Sequence, residues 1–515
     1  MLLTIISKLR RKESIDVFGL NTSYKKNMTV IFNNVIRMMG ILLLVLGCSL
    51  IPALLVAFIY REPVSAKSFL AAIIPCFLLG YILMKKIRPS QMRLKARDGF
   101  LIVSLCWLLA SLIGAVPLFI SGAIPSYVDA FFEVCSGFST TGSSILTDIE
   151  SLPKSMLFWR SFTHWLGGMG IIVFAMALLP SIGANGQLIA SAETPGPTLN
   201  KVSPRFSDTA KNLYLVYILF TAVEAVLLLL GGMNLYDALT HTFSTVGTGG
   251  FSSYNNSIAH FENPYIHWVI FIFMTLCGIN FNLYFVLARR GFKKMMQDSE
   301  LRFYLMIIAV ITSLLVLNLM MTGTYESLSD CIRDSAFQVS SIMTTTGFAT
   351  ADYDIWPTFS KMLIFILLLM GACSSSTGGG IKLIRILVAL KLVRRGISLK
   401  LHPSRVVTVT LNKREMPQEV ATNIANFIFF YIFMVFAGSI IISLNGFDLM
   451  TTVSSVLTCM GNVGPGFNLV GPTMNFSVFS DFSKLILSLL MIAGRLELFT
   501  FFMLFSPHYW NSNRA

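Results

Sequence analysis

The sequence predicts an all-α integral membrane protein built from four pseudo-symmetric repeats around one pore, preceded by two extra transmembrane helices. Three observations predict this fold class. The composition suits a chain that faces lipid, ten apolar stretches are long enough to cross a bilayer, and four connections between them share one pattern. We therefore expect about ten spanning helices and four re-entrant pore helices.

The composition places the chain in the membrane. Of 515 residues, 55% are hydrophobic and 12% are charged, and the mean hydropathy is +0.72. Soluble domains carry about 25% charged residues, so most of this surface faces something other than water. Membrane protein is the only class consistent with these values.

The apolar stretches set the order of the elements. A spanning helix needs roughly 20 mostly apolar residues. The ten stretches are 31–60, 68–84, 99–121, 157–180, 212–232, 266–288, 303–322, 361–392, 420–445 and 483–506. We expect an N-terminal unit with two extra helices (1–98) and four repeats, at 99–210, 211–300, 301–415 and 416–515.

The basic residues predict the orientation. The net charge is +14, and basic residues cluster in short segments between apolar stretches. These segments are Lys8 to Lys12, Lys85 to Arg97, Arg289 to Lys294 and Lys382 to Arg414. This is the positive-inside pattern of cytoplasmic loops, so both termini are expected in the cytoplasm and nucleic-acid binding is not predicted.

Four connections between the apolar stretches repeat one pattern. They run 122–156, 233–265, 323–360 and 446–482. In register, the pairs thirteen residues apart are Asp129 and Gly142, Asp237 and Gly250, Asp334 and Gly347, and Thr451 and Gly464. One Thr-Thr-Gly is a weak motif, but four aligned loops between spanning helices indicate a fourfold assembly. The alternative is a duplication retained for structure alone.

Physical chemistry indicates what such a loop is for. Asp and Thr are good N-caps, and about ten helical residues reach roughly 15 Å, half of a ~30 Å hydrocarbon core. Four C-terminal helix ends, each carrying about half a negative charge, favour a cation between them. Irregular backbone is tolerated there only where it lines protein or water. Glycine lets successive carbonyls face the axis, as in a potassium filter.

The second halves of these loops are acidic. The tails at 143–155, 251–264, 348–360 and 465–482 contain six acids, one Lys and no Arg. An acidic mouth raises the local concentration of cations. Ordinary solvated loops would explain the acids equally well.

These motifs resemble the Trk/Ktr/HKT superfamily of cation transporters, and within it the TrkH-type potassium-uptake subunits. The similarity covers nearly the whole chain. Besides the four loops it includes Arg97–Phe100, Trp165–Gly170, Glu193–Gly196 and Gly461–Gly466. Two spanning segments before the first repeat are similar to the Trk form.

The resemblance implies potassium uptake across the cytoplasmic membrane, with potassium as substrate and no cofactor in this chain. It implies a homodimer in membrane lipid and a cytoplasmic nucleotide-binding regulatory subunit of the TrkA type, through which nucleotide would act. It also implies the ion-binding filter residues: Thr140, Thr141, Gly142, Thr248, Gly249, Gly250, Thr345, Thr346, Gly347, Asn462, Val463 and Gly464. In the superfamily, glycine at all four aligned positions goes with potassium preference. Gly249 and Val463 depart from the Thr of the first and third loops.

One apolar segment is interrupted. Ten residues without a bulky side chain should break the helix predicted over 361–392. They are Gly371, Ala372, Cys373, Ser374, Ser375, Ser376, Thr377, Gly378, Gly379 and Gly380. The resemblance implies a mobile loop beneath the filter that gates the pore. The alternative is small residues for close helix packing.

Charged residues inside apolar segments are candidate functional residues, because a charge at bilayer depth is costly. Arg495 is expected to be a barrier or anchor beneath the filter. Alternatively it forms a structural pair with Glu497 or with carbonyls. Glu224 is expected to be a buried structural acid rather than a coupling carboxylate. The histidines His164, His241 and His267 lack metal-site spacing and are expected to be structural.

Three functional classes are open to a chain with many spanning helices. A gated potassium pore agrees with four filter-like loops, whereas coupled carriers favour two inverted repeats with broken helices, and only one broken helix is expected here. A proton- or sodium-coupled potassium symporter is the second hypothesis. No P-loop, HExxH, GxSxG or CxxC motif occurs, so no enzyme is predicted. The polar segment 181–210 is expected on the cytoplasmic face, touching the regulatory partner.

Overall fold

The computed structural model describes residues 20–86, 96–170, 206–404, 407–412 and 414–506. The helices are α1 (Leu20–Ile59), α2 (Pro63–Lys86), α3 (Ala96–Ile120), α4 (Tyr127–Phe138), α5 (Lys154–Gly168), α6 (Phe206–Leu230), α7 (Leu235–Val246), α8 (Pro264–Cys277), α9 (Asn282–Arg290), α10 (Phe292–Met295), α11 (Ser299–Met321), α12 (Leu328–Met343), α13 (Thr358–Leu369), α14 (Leu383–Leu401), α15 (Gln418–Ile442), α16 (Leu449–Gly461), α17 (Asp481–Arg495) and α18 (Phe499–Phe502). Short 3₁₀ turns lie at Ser257–His260, Tyr353–Ile355, Ser443–Asn445, Asn468–Val470, Phe476–Val478 and Met503–Phe505.

The predicted fold class is confirmed. Each repeat contains a first spanning helix, a pore helix and a second helix. The first helices are α3, α6, α11 and α15; the pore helices are α4, α7, α12 and α16; the second helices are α5, α8, α13 and α17. In the described part of the chain, six helices are long and apolar enough to span, and two bent pairs make eight. Of the other predicted spans, 157–180 continues beyond the described residues and 361–392 is broken.

The N-terminal helices α1 and α2 form a tightly packed pair. A Cβ built on Gly80 would lie 2.9 Å from the carbonyl oxygen of Gly40. Small residues of this kind let two helix backbones approach closely in lipid, where apolar burial does not drive association. The pair then packs on the first repeat, since α1 contacts both α3 and α5.

In the described chain, three of the second helices are followed by a break or a sharp bend. α8 and α9 meet at 93°, α17 and α18 meet at 114°, and α13 is separated from α14 by the irregular segment 370–382. The expectation of one broken helix is therefore wrong. After α17 the chain turns through Glu497 and Leu498, both with positive φ (57° and 51°). Two non-glycine residues in that region are strained and persist only where packing enforces them.

A small β-hairpin is the described exception to the all-α prediction. Strand β1 (Thr410–Leu411) pairs antiparallel with β2 (Arg414–Glu415), with Thr410 opposite Glu415. The hairpin lies between α14 and α15, and Lys391 of α14 donates to the Thr410 carbonyl at 2.6 Å.

The predicted N-caps of the pore helices are wrong. In three loops the cap stands three residues earlier than Asp129, Asp237 or Thr451, and in the third loop seven residues before Asp334. The caps are Ser126, Asn234, Ser327 and Asp448, and each accepts from the N–H three residues on. An N-cap residue precedes the first helical turn and has an extended backbone conformation. An acid inside the first turn interacts with the helix dipole instead. Asp129 forms an ion pair with Lys484 of α17 at 2.5 Å.

Replacing Asp448 by Ala should lower the melting temperature in detergent, with a loss of about 1 kcal/mol. The carboxylate accepts from Thr451 N–H at 3.1 Å, from the Thr451 hydroxyl at 2.5 Å and from Asn468 Nδ2 at 2.7 Å. The control is Asp448→Asn, which retains an oxygen for the cap and should melt close to the wild type. Equal losses in both variants would contradict the capping role.

Candidate filter and gate

The four pore helices end in the same backbone motif. In each loop an N–H bonds to the carbonyl five residues earlier, at 2.8–2.9 Å, and the preceding N–H bonds three residues back. In the five-residue bonds, the N–H groups of four residues donate to the carbonyls of four others. The donors are Thr141, Gly249, Thr346 and Val463, and the acceptors, in the same order, are Ser136, Ser244, Ser341 and Thr458. This is the Schellman arrangement, which satisfies the last helix carbonyls. It leaves the carbonyls of the four donor residues free to face elsewhere.

The motif requires a left-handed residue, and here that residue is unusual. Thr140, Thr248 and Thr345 have φ of 56°, 53° and 58°, and Asn462 has φ of 55°. Asn tolerates this region, but a β-branched Thr there is a genuine outlier that costs about 1–3 kcal/mol. The same strain three times over indicates a conformation imposed by the surrounding packing.

Two residues later each loop has a glycine with positive φ, and these glycines link the loops into a closed ring. The φ values of Gly142, Gly250, Gly347 and Gly464 are 84°, 80°, 86° and 100°. A Cβ on each glycine would overlap the carbonyl oxygen of the next loop, except the last, where the separation is 2.7 Å. The pairs are Gly142–Gly249, Gly250–Thr346, Gly347–Val463 and Gly464–Thr141. Each loop therefore contacts the next, and the fourth contacts the first.

A cavity of about 130 Å³ lies beside the ring, on the side of the loop tails, and all four glycines line it. Within the part of the chain that the structure describes, the only charged side chain in its wall is Arg160. The acids of the tails are therefore not in the wall. Several of them join loops instead: Asp354 accepts from Asn468 N–H at 2.6 Å, and Glu150 accepts from Asn255 N–H at 3.3 Å.

A buried ion pair supports the first two loops. Arg160 of α5 and Glu133 of α4 lie 2.7 Å apart and are 1% and 0% exposed. Glu133 accepts from the Ser144 hydroxyl and from Ile145 N–H, both at 2.9 Å. Arg160 donates to the Ser252 carbonyl at 3.3 Å and lies 4.0 Å from the Phe251 ring centre. The sequence reading missed both residues, although Arg160 lies inside an apolar segment as Arg495 does.

The predicted interruption of the third repeat is present. The chain between α13 and α14 is irregular, and its glycines lie against the ends of two pore helices. A Cβ on Gly378 would lie 2.8 Å from the Thr344 carbonyl, and one on Gly379 would lie 2.6 Å from the Gly461 carbonyl. Gly379 N–H also donates to the Thr345 hydroxyl at 2.7 Å. The segment 371–380, which we call the gate loop, therefore touches the ends of α12 and α16 and the third loop directly.

Arg495 holds the gate loop from the fourth repeat. Its guanidinium donates to the carbonyls of Thr377 (2.7 Å), Gly167 (2.6 Å) and Gly168 (2.7 Å). It thus joins the gate loop to the end of α5. Pairing with Glu497 is wrong, since Glu497 pairs with Arg385. The carbonyl cluster that was the alternative to a barrier is present, and its members include the gate loop itself.

Two further buried charges hold the same loop. Glu300 accepts from Ser374 N–H at 2.6 Å and from its hydroxyl at 2.7 Å. The Lys382 ammonium donates to the Gly378 carbonyl, and both charged residues are at least 95% buried. The sequence reading missed both. Lys382 carries the signal used for Arg495, a charge inside an apolar segment, whereas Glu300 lies just before the segment 303–322.

The remaining singled-out residues lie away from the ring or act as supports. Glu224 is fully buried beside Thr245 of α7. His241 bonds to the Asp237 carbonyl and the Ser252 hydroxyl, and His267 bonds to the Phe261 carbonyl. Within the described ranges, no cluster of three His, Cys, Asp or Glu residues could hold a metal. The segment 181–210 lies almost entirely outside the described residues.

Comparisons with known proteins agree with this geometry. The family model described as TrkH, cation transport protein, matches residues 65–512. The Trk system potassium uptake protein TrkH of Escherichia coli (strain K12) is 36% identical over 483 residues, covering 93% of this chain and 99% of that protein. TrkG of the same strain is 34% identical over 499 residues, covering 96% and 100%. These relatives are named as transport proteins.

A solved structure matches at the level of the whole chain. The crystal structure of the potassium transporter TrkH from Vibrio parahaemolyticus has a TM-score of 0.84 and 33% identity. The match covers 93% of this chain and 100% of that chain.

Replacing Gly142 by Ala should lower the melting temperature far more than replacing Gly122 by Ala. Both glycines have positive φ (84° and 74°), so in both variants the alanine is destabilised by about 1–2 kcal/mol in the left-handed backbone conformation. Only at Gly142 does the new methyl group overlap a neighbouring loop, since nothing lies within 4 Å of the Gly122 position. Equal losses would show that the close ring contact does not constrain the protein.

Proposed function

Because the chain belongs to the TrkH family of cation transport proteins, we propose that it takes up potassium ions across the cytoplasmic membrane through one gated pore. The observation that carries this proposal is the closed ring of four glycine–carbonyl contacts. A ring of carbonyls around an axis can replace the water shell of a potassium ion. The names of its relatives, as Trk system potassium uptake proteins, support the same substrate.

The filter is proposed to consist of the three residues at each loop end. The left-handed residue turns the chain, the middle residue offers its carbonyl, and the glycine admits the next loop. These residues are Thr140, Thr141, Gly142, Thr248, Gly249, Gly250, Thr345, Thr346, Gly347, Asn462, Val463 and Gly464. The pore helices add four negative C-terminal ends beneath them. Glycine at all four aligned positions supports a preference for potassium over sodium.

The gate loop is proposed to close the path beneath the filter. It fills the space under the ends of α12 and α16, and Arg495 anchors it to the end of α5. A buried positive charge on the path also repels a cation, and the repulsion is strong where the dielectric constant is low. Opening then requires the contacts of Arg495, Glu300 and Lys382 with the loop to be exchanged.

Control from the cytoplasm is the remaining part of the proposal. We place both termini in the cytoplasm, assign the chain to a homodimer, and assign nucleotide sensing to a separate TrkA-type subunit. The basic residues of α9, α10 and α14 support this orientation, because they cluster beyond the breaks of the second helices. A regulatory subunit bound at that end could pull on α14, which continues directly from the gate loop.

Flux into proteoliposomes of the purified protein tests the proposal. We expect downhill flux of potassium and rubidium well above that of sodium and choline, with no proton or sodium gradient required. A strict requirement for either gradient would show that the protein is a coupled symporter rather than a pore. If no flux occurs, the regulatory subunit and nucleotide are added. Continued absence of flux would then contradict the proposed pore.

Releasing the gate loop should raise the resting flux. Deleting 374–379 removes the segment between α13 and α14 that underlies the filter, and Arg495→Gln removes the charge that anchors it. Both variants should leak potassium without the regulatory subunit, by about tenfold if one anchoring contact of about 1.4 kcal/mol is lost. The matched control is Arg302→Gln, which removes an exposed arginine of α11. Resting flux unchanged in both gate variants would contradict the gate.

A further inference from the structure

The four loops differ in the side chains that flank the left-handed residue. In the first loop the hydroxyls of Ser139 and Thr141 bond at 2.7 Å, and in the third those of Thr344 and Thr346 bond at 2.8 Å. The two residues of each pair flank the left-handed residue, so the bond braces the turn. The second loop has Gly247 and Gly249 at these positions and therefore lacks the brace. Two glycines around a strained turn should leave its carbonyl free to tilt.

His164 of α5 occupies the space that the missing side chains would fill. A Cβ on Gly249 would overlap the His164 ring, and a Cβ on Gly247 would lie 2.6 Å from the His164 carbonyl oxygen. The imidazole is fully buried and lies 4.2 Å from the ring centre of Phe251. The departure of Gly249 from the Thr of the first and third loops is thus matched by a side chain from the neighbouring repeat.

The two ring nitrogens join two loops. Nε2 accepts from Phe251 N–H at 3.3 Å, so Nδ1 carries the proton and donates to the Gly137 carbonyl at 2.8 Å. Gly137 belongs to pore helix α4, and Phe251 follows the filter glycine of the second loop. A neutral imidazole satisfies both bonds and spans the boundary between the first and second loops.

We propose that His164 is a positioning residue that sets the second filter loop and thereby the discrimination between potassium and sodium. The inference rests on the proposed function and extends it to a residue outside the filter. The Gly249 carbonyl that His164 backs is the atom that fills the space beside Gly142. If Gly249 moves, the ring changes width at the contact between the first and second loops.

Three single variants separate positioning from packing. His164→Ala removes volume and both bonds, His164→Leu retains most of the volume without the bonds, and His164→Gln retains a donor and an acceptor. Each lost buried hydrogen bond is worth about 1 kcal/mol, or about fivefold. We expect rubidium-over-sodium selectivity in proteoliposomes to fall at least about fivefold in the Ala and Leu variants and to be largely retained in the Gln variant.

The matched control is His267→Ala, which removes another buried histidine bonded to a backbone carbonyl, in α8 and away from the ring. It should lower the melting temperature without changing selectivity. If His164→Ala and His164→Leu also lower only the melting temperature, His164 is a packing residue and the proposal is wrong.

A double-mutant cycle of melting temperatures tests, independently of transport, whether His164 occupies the space of a side chain at position 249. Gly249→Thr should strongly lower the melting temperature in the wild type, because its side chain meets the imidazole. The same change should be much better tolerated together with His164→Ala, which vacates that space. Equal destabilisation in both backgrounds would overturn the inference. Absence of any cation flux from the wild type would instead count against the proposed function and leave this cycle interpretable.

Discussion

The four ring glycines are fixed by a contact between loops. At each position the carbonyl of the next loop occupies the volume that a Cβ would need, and the contacts run around the ring until they close. The Schellman hydrogen bonds supply the other half of the constraint, because they consume the N–H groups and leave the carbonyls of the same residues to contact the next loop. A change in one loop therefore displaces its neighbour, and the strained left-handed threonines are held by this mutual packing.

Buried charges recur around the ring, and most of them are satisfied by backbone groups. Arg495 and Lys382 donate to carbonyls, and Glu300 accepts from an N–H and a hydroxyl of one serine. An unpaired charge at this depth would cost several kcal/mol or more, so these groups bind tightly wherever irregular backbone offers partners. The breaks in the second helices provide that backbone. Breaks and charges are thus two parts of one arrangement, and loss of either would leave the other unsatisfied.

The sequence predicted the elements better than their ends. Apolar length located every described span to within a few residues, and the thirteen-residue spacing located the four glycines that meet in the ring. The N-caps were wrong because Asp is favourable both at the cap and inside the first turn. The break after Arg495 was missed because its positive φ angles fall on Glu497 and Leu498, which no local rule favours. Pairs such as Glu133 with Arg160 are 27 residues apart, and only the packed structure brings them together.

The gate loop is hydrogen-bonded to the ring of loops at Thr345. Thr345 is strained at φ of 58°, and its hydroxyl accepts from Gly379 N–H of the gate loop. Among the described residues, no hydrogen bond joins the other three left-handed residues to that loop: Thr248 bonds to its own neighbour, and Asn462 bonds to the first loop and to α17. Movement of the gate loop would therefore remove a hydrogen bond from the third loop and packing contacts from the end of the fourth pore helix. If the gate loop opens as proposed, the geometry of the ring is not independent of that opening, and the pseudo-fourfold ring would respond asymmetrically.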